Sequence, residues 1–164
     1  MTDGTAPTAE TEDRVDRAPV LVLGVGSELR RDDAAGRRVA EAIAALELPG
    51  VKSLSVHQLT PELAMQIAGR QLVIVVDASV DEGGDVVVSA VDATDATGAM
   101  SHHLDVRGLL GLAAMVASAP QEVRTVAVPA HDLSIGTELS AATDAHVEDA
   151  VRCVANLCDG AVPG

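Results

Sequence analysis

The sequence contains no phenylalanine, tyrosine or tryptophan, only two cysteines, and fewer than half as many basic as acidic side chains. Each shortage removes a class of function. Without aromatic rings there are no stacking platforms for unpaired bases, and a formal charge of −14 repels a phosphate backbone, so nucleic acid is excluded as a partner. Cys153 and Cys158 are five positions apart in a helical pattern, about 140° apart around the axis, which disfavours a mutual disulfide and leaves two free thiols. No apolar run approaches the ~20 residues needed to span a bilayer, and the N-terminus lacks the basic-then-apolar order of a signal peptide. No membrane association is expected, and the expected location is the cytoplasm.

What remains is an aliphatic protein. Of the 164 residues, 48% are apolar, so the core is built from Leu, Val, Ile, Ala and Met, and the length suits one domain. Residues 1–18 are polar and acidic without periodicity and read as a disordered tail; a single domain is expected over 19–160. Pro19–Gly26 (PVLVLGVG) is a continuous apolar run of the kind found in strands buried on both faces. Helical spacing of Ala35, Val39, Ala42, Ile43 and Leu46 predicts an amphipathic helix over 33–46. Strands follow over 51–56, 71–77, 85–91 and 122–128. A short helix is expected to open on Thr60 as N-cap and Pro61 and to run through Ala68, with further helices over 104–117 and 140–157. The link through Gly83 and Gly84 is too short for a crossover helix, so the fourth strand is expected to run antiparallel to its neighbour. This order predicts an α/β fold: a three-layer α/β/α sandwich with a mostly parallel, five-stranded mixed sheet.

Ligands of such sheets bind beyond the carboxyl ends of the strands, a rule that selects three segments. After the first strand, GVGSELRRDDAAG places Asp32 and Asp33 at a helix start, where the helix dipole favours ionised carboxylates. Neighbours there diverge by about 100°, so one enters the cleft and the other acts as a cap. Asp77 ends the third apolar strand, where a carboxylate needs a hydrogen bond, a partner or a metal. His102 and His103 precede a later helix, and an open set of two carboxylates and one histidine suits nickel, zinc or iron. Taken singly, each has a structural explanation: a capping aspartate, a turn former, a solvated histidine pair. Their convergence at one sheet edge is what points to a metal site.

The motifs LVLGVGSELRRDDAAG, HQLTPELA with VIVVDAS, SHHLDVRGLL, and VPAHDLSIGTELS before the last helix resemble those of the hydrogenase maturation proteases over about residues 19–157. These enzymes trim a C-terminal extension from the large subunit of nickel-iron hydrogenase after nickel insertion. The resemblance implies the same five-stranded fold and a metal-binding, catalytic trio of Asp33, Asp77 and His102, with nickel shared with or supplied by the substrate and zinc able to occupy the site. His102 is chosen because Leu104, Val106, Leu109 and Leu110 then match the family's leucine-like positions; His103 is the reserve. It further implies an aspartic-type, metal-dependent endopeptidase whose partner is the large-subunit precursor, and a monomer is expected. Ser27 stands where the family usually has Asn, Ala34 and Ala35 where it often has Gly-Val, and His57 and Gln58 match a motif found in part of the family. Neither a G-x-S-x-G elbow nor an HExxH helix is present. Two alternatives stand beside this reading. One is a nucleotide-binding module on the GVG turn, which lacks the third glycine of the fingerprint; the other is a noncatalytic maturation scaffold.

Overall fold

The computed structural model describes residues 18–80, 84–92 and 104–163. Five strands, β1 (Val20–Val25), β2 (Val51–Val56), β3 (Leu72–Ser79), β4 (Val87–Val91) and β5 (Glu122–Pro129), form one sheet in the order β2-β1-β3-β5-β4. The first three and β5 run parallel, and β4 pairs antiparallel with β5. Four helices, α1 (Ala35–Ala45), α2 (Leu63–Ile67), α3 (Val106–Val116) and α4 (Ala141–Ala161), cover the two faces, and a 3-10 turn over Arg31–Ala34 leads into α1.

Period-two alternation in the central strands divides the core. Val20, Val22, Leu72, Ile74, Val76, Val126 and Val128 meet Val39 and Ile43 of α1 and Ala150 and Val154 of α4 on one face. On the other, Leu21, Leu23, Val73, Val75 and Val123 meet Leu63 and Ile67 of α2 and Leu109, Leu110 and Ala113 of α3. Two aliphatic layers thus sandwich β1 and β3, which explains why β1 and the first five residues of β3 are apolar and buried while the edge strand β2 reads VKSLSV. The three-layer mixed sheet expected from sequence is the observed fold.

Local differences have physical causes. The short helix begins at Leu63, with Glu62 rather than Thr60 at its cap position; Thr60 and Pro61 instead supply carbonyls to a turn that receives the amides of Leu63 and Ala64. The neighbour of β4 is β5, inserted between it and β3, so the short link after β3 steps over a strand that arrives later in the chain. Ala18, assigned from sequence to the tail, is buried, and its carbonyl accepts a hydrogen bond from the Arg70 guanidinium; the rest of the tail lies outside the described residues. The last helix extends beyond Leu157 to Ala161. Among the described residues no helix is long and apolar enough to cross a membrane.

Topology fixes where a cleft opens. From β1 the chain passes through α1 to β2 on one side, then returns through α2 to β3 on the other, so the strand order reverses between β1 and β3. The carboxyl ends of those two strands flank a switch point, the usual ligand crevice of open α/β sheets.

Candidate active site

Asp33 and Asp77 reach the crevice by different routes. Asp77 follows Val76, the register partner of Gly24, and so stands just past the pairing of β1 with β3. Asp33 comes from the 3-10 turn after β1. Gly36 secures this turn against the sheet: a Cβ there would collide with the backbone carbonyl oxygens of Val25, the last residue of β1, and Val76, inside β3. Gly26 plays the complementary part, since a Cβ on it would strike the carbonyl of Asp33. The room left by the glycine after β1 is therefore filled by the protein's own backbone, where a dinucleotide pyrophosphate would need it open.

The amide of Ser27 donates to Asp33 Oδ2 at 2.9 Å. The Ser27 hydroxyl accepts from the Leu29 amide at 3.3 Å, so this departure from the family's Asn serves the turn. Asp77 Oδ1 accepts from the adjacent Ala78 amide at 2.8 Å. Although the Asp77 side chain opens to solvent, it stands in a cleft whose walls displace much of the bulk water. That desolvation raises its pKa to about 6, the Ala78 hydrogen bond opposes the rise, and the negative charge of Asp33 adds to it. A cation between the two would relieve both the desolvation and the repulsion, so the donor chemistry fits a divalent metal ion. Two oxygen donors do not complete a site, and among the described residues no group of three or more potential ligands converges. His102 and His103 lie outside the described residues; Leu104, which follows them, lines the same cleft as Asp77.

The cleft is about 440 Å³ and largely apolar, walled by Val25, Leu59, Val75, Leu104 and Val126, with Asp77 and Gln58 among its few polar groups. Gln58 lines the cleft, whereas its neighbour His57 is exposed and not part of that wall.

Sequence reasoning assigned the other member of the acidic pair to helix capping but missed which helix. Asp32 is fully buried and accepts five hydrogen bonds: from the amides of His131, Asp132 and Ser140 and the hydroxyls of Ser140 and Thr143, all at 2.7–2.9 Å. Burial alone would raise its pKa, but these donors outweigh it and hold the carboxyl at about 2. Asp32 fastens the loop after β5 and the first turn of α4 to the loop after β1. The available signal was the pairing of DD with the late SIGTELSAAT segment, legible only once the two loops are known to touch. Both cysteines are free, as expected; Cys158 is buried and desolvation raises its thiol pKa to about 11, which makes it a poor nucleophile.

Comparison with known proteins yields no matching family model and no matching curated protein sequence. Solved structures do match. The hydrogenase maturating endopeptidase HybD from E. coli is 26% identical with a TM-score of 0.71, over 86% of this chain and 93% of that one. A hydrogenase 2 maturation peptidase from a Thaumarchaeota archaeon is 27% identical with a TM-score of 0.64, over 84% and 96%. The NiFe hydrogenase maturation protease HybD from Thermococcus kodakarensis is 25% identical with a TM-score of 0.64, over 85% and 98%. Coverage of 84–86% of this chain and 93–98% of theirs, with the shared α/β fold, leads to one conclusion: the chain has the fold of the hydrogenase maturation endopeptidases and is similar to them over nearly their whole length.

Proposed function

We propose that this protein is a metal-dependent endopeptidase that removes the C-terminal extension of a nickel-iron hydrogenase large-subunit precursor once nickel has been inserted. The supporting observation is that Asp33, in the turn after β1, stands close enough to Asp77, which lines the cleft beyond β3, for the charge of the first to perturb the second. Carboxylates so placed hold a divalent ion better than they hold each other. In this reading His102, with His103 in reserve, completes the donor set, and the nickel belongs to the precursor, with zinc able to substitute. A divalent ion bound there supplies Lewis acidity at the scissile carbonyl. The protein's own groups do the rest: the Ser27 amide fixes the orientation of Asp33, the Ala78 amide that of Asp77, and the aliphatic cleft walls exclude water and seat the substrate segment. The protein acts as a monomer in the cytoplasm.

The test mixes purified protein with nickel-loaded and nickel-free precursor and weighs the products. Loss of the extension only from the loaded form supports the proposal; equal cutting of both contradicts nickel sensing, and no cutting of either contradicts peptidase function on this substrate. Asp33→Asn, Asp77→Asn and His102→Ala are each expected to lower the rate at least a hundredfold without loss of fold. Wild-type rates in all three would remove the site.

A further inference from the structure

A peptide entering the apolar cleft meets few hydrogen-bond donors. Four polar side chains line it, and two of them are aspartates, Asp77 and Asp105. An ionised carboxylate accepts hydrogen bonds but donates none, and Asp105 is already committed as a cap, its Oδ1 accepting from the Gly108 amide at 2.8 Å. Thr125 is the register partner of Val75, two residues before Asp77, so its hydroxyl belongs to the floor of the cleft, about 7 Å below the rim. A main-chain carbonyl brought between these aliphatic walls gives up its water, and it is costly to leave unpaired.

Gln58 is the fourth polar side chain. Its carboxamide carries a donor and an acceptor, the complement of a peptide group, and no charge that would compete for a cation. Among the described residues no hydrogen bond engages it. The loop that carries Gln58 is nevertheless fastened on both sides. The Gly26 amide donates to the Val56 carbonyl at 3.1 Å and the Leu63 amide to the Thr60 carbonyl at 3.0 Å, while Val56 and Leu59 pack against the core layer shared with α2 and α3. Val56 is the register partner of Val25, and Val25 follows Gly24, the partner of Val76. Val56, Val25 and Asp77 therefore stand abreast at the rim of three adjacent strands. At ~4.8 Å per strand the outer two are about 10 Å apart, the span of about three residues of extended chain.

We propose that Gln58 is a substrate-binding residue, its carboxamide hydrogen-bonding a main-chain peptide group of the precursor tail as the extended tail crosses the end of β1 from Asp77 toward β2. The contact lies away from the scissile bond, so Gln58 holds the tail in register and takes no part in the bond cleavage. His57 shares the loop but stands outside the cleft wall and makes no such contact. This inference rests on the proposed precursor processing and deepens it by naming the residue that seats the tail.

The experiment measures binding and cutting separately, using the full-length protein and nickel-loaded precursor. Gln58→Leu, which keeps the bulk and removes the hydrogen bond, is expected to raise the half-saturating precursor concentration about three- to tenfold, with the rate at saturation within about twofold of wild type. Gln58→Ala is expected to do the same, and His57→Ala to match wild type. Both positions are exposed, so thermal melting is expected to be unchanged in all three variants. Wild-type half-saturation in both Gln58 variants overturns the inference while leaving the peptidase reading intact. An equal loss in His57→Ala also overturns it, because the loop rather than the carboxamide is then responsible. If wild type binds precursor without cutting it, weaker binding by Gln58→Leu keeps the inference as the peptidase reading falls, and equal binding removes both. Wild-type protein that fails to bind precursor removes both as well.

Discussion

Replacing Asp32 by asparagine probes the clamp with almost no change in shape. The folded-state carboxyl titrates at about 2 against an ordinary value of 3.8, so its ionisation favours the folded state by about 2 kcal/mol near neutral pH. Because the folded pKa is depressed, that stability is fully present above the unfolded value and is lost as pH falls through the folded one. Asparagine removes the charge and turns one of the two oxygens into a donor. If its carbonyl replaces Oδ2, the amides of His131 and Asp132 and both hydroxyls keep an acceptor, but the new NH2 faces the Ser140 amide. One buried donor is then unpaired and the others lose their charge assistance, a loss of about 2–4 kcal/mol. Urea denaturation of wild type and Asp32→Asn, both in chelator so that no cation at Asp33 contributes, is expected to show that gap near pH 7 and a gap smaller by about 1 kcal/mol at pH 3. A gap that stays constant between these pH values refutes the linkage. A gap below about 0.5 kcal/mol refutes the clamp itself.

Gly36→Ala introduces a Cβ against the carbonyls of Val25 and Val76; overpacking of about 1–3 kcal/mol is expected, with a loss of processing larger than the fall in folded fraction explains, because the turn that carries Asp33 is pushed off the sheet. Thermal melts and precursor cleavage on the same sample separate the two effects. Thiol titration distinguishes the cysteines: half-buried Cys153 is expected to react with a disulfide reagent in the native protein, and Cys158 only after denaturant is added. Two equally fast native thiols would contradict the packing of α4.

The sequence made the sheet and its layers readable because nothing competes with aliphatic periodicity in a chain without aromatic residues. β2 matches its expected bounds, and β1, β3 and β5 differ by one or two residues at their ends. Asp105 and Ser140 cap α3 and α4 with their side chains, as serine and aspartate at such positions should. Long-range pairing was not readable. The insertion of β5 between β3 and β4 depends on a strand some thirty positions later, and no local pattern in 80–91 encodes it. The work of Asp32 was hidden for the same reason: its partners lie 99 to 111 positions away. The sheet-edge positions of the acidic pair and of Asp77 were legible from strand order, whereas the choice of Asp33 over Asp32 came from the family resemblance and not from local pattern.

The acidic pair shows how identical neighbours acquire opposite duties. A 3-10 turn advances about 120° per residue, so Asp32 and Asp33 cannot face the same surroundings. One direction leads to five donors and the interior, which drive the pKa of Asp32 to about 2 and keep it ionised near neutral pH. The other leads to the crevice, where Asp33 meets Asp77, whose pKa burial and repulsion raise to about 6. Environments that push carboxylates apart in this way separate structural from reactive groups. An arriving cation gains little from Asp32, whose charge is already matched by its donors; it gains most where two carboxylates repel each other with few donors between them. Charge that the fold has left uncompensated at Asp33 and Asp77 is thus what a metal ion can compensate, and the adjacent clamp keeps that imbalance in place.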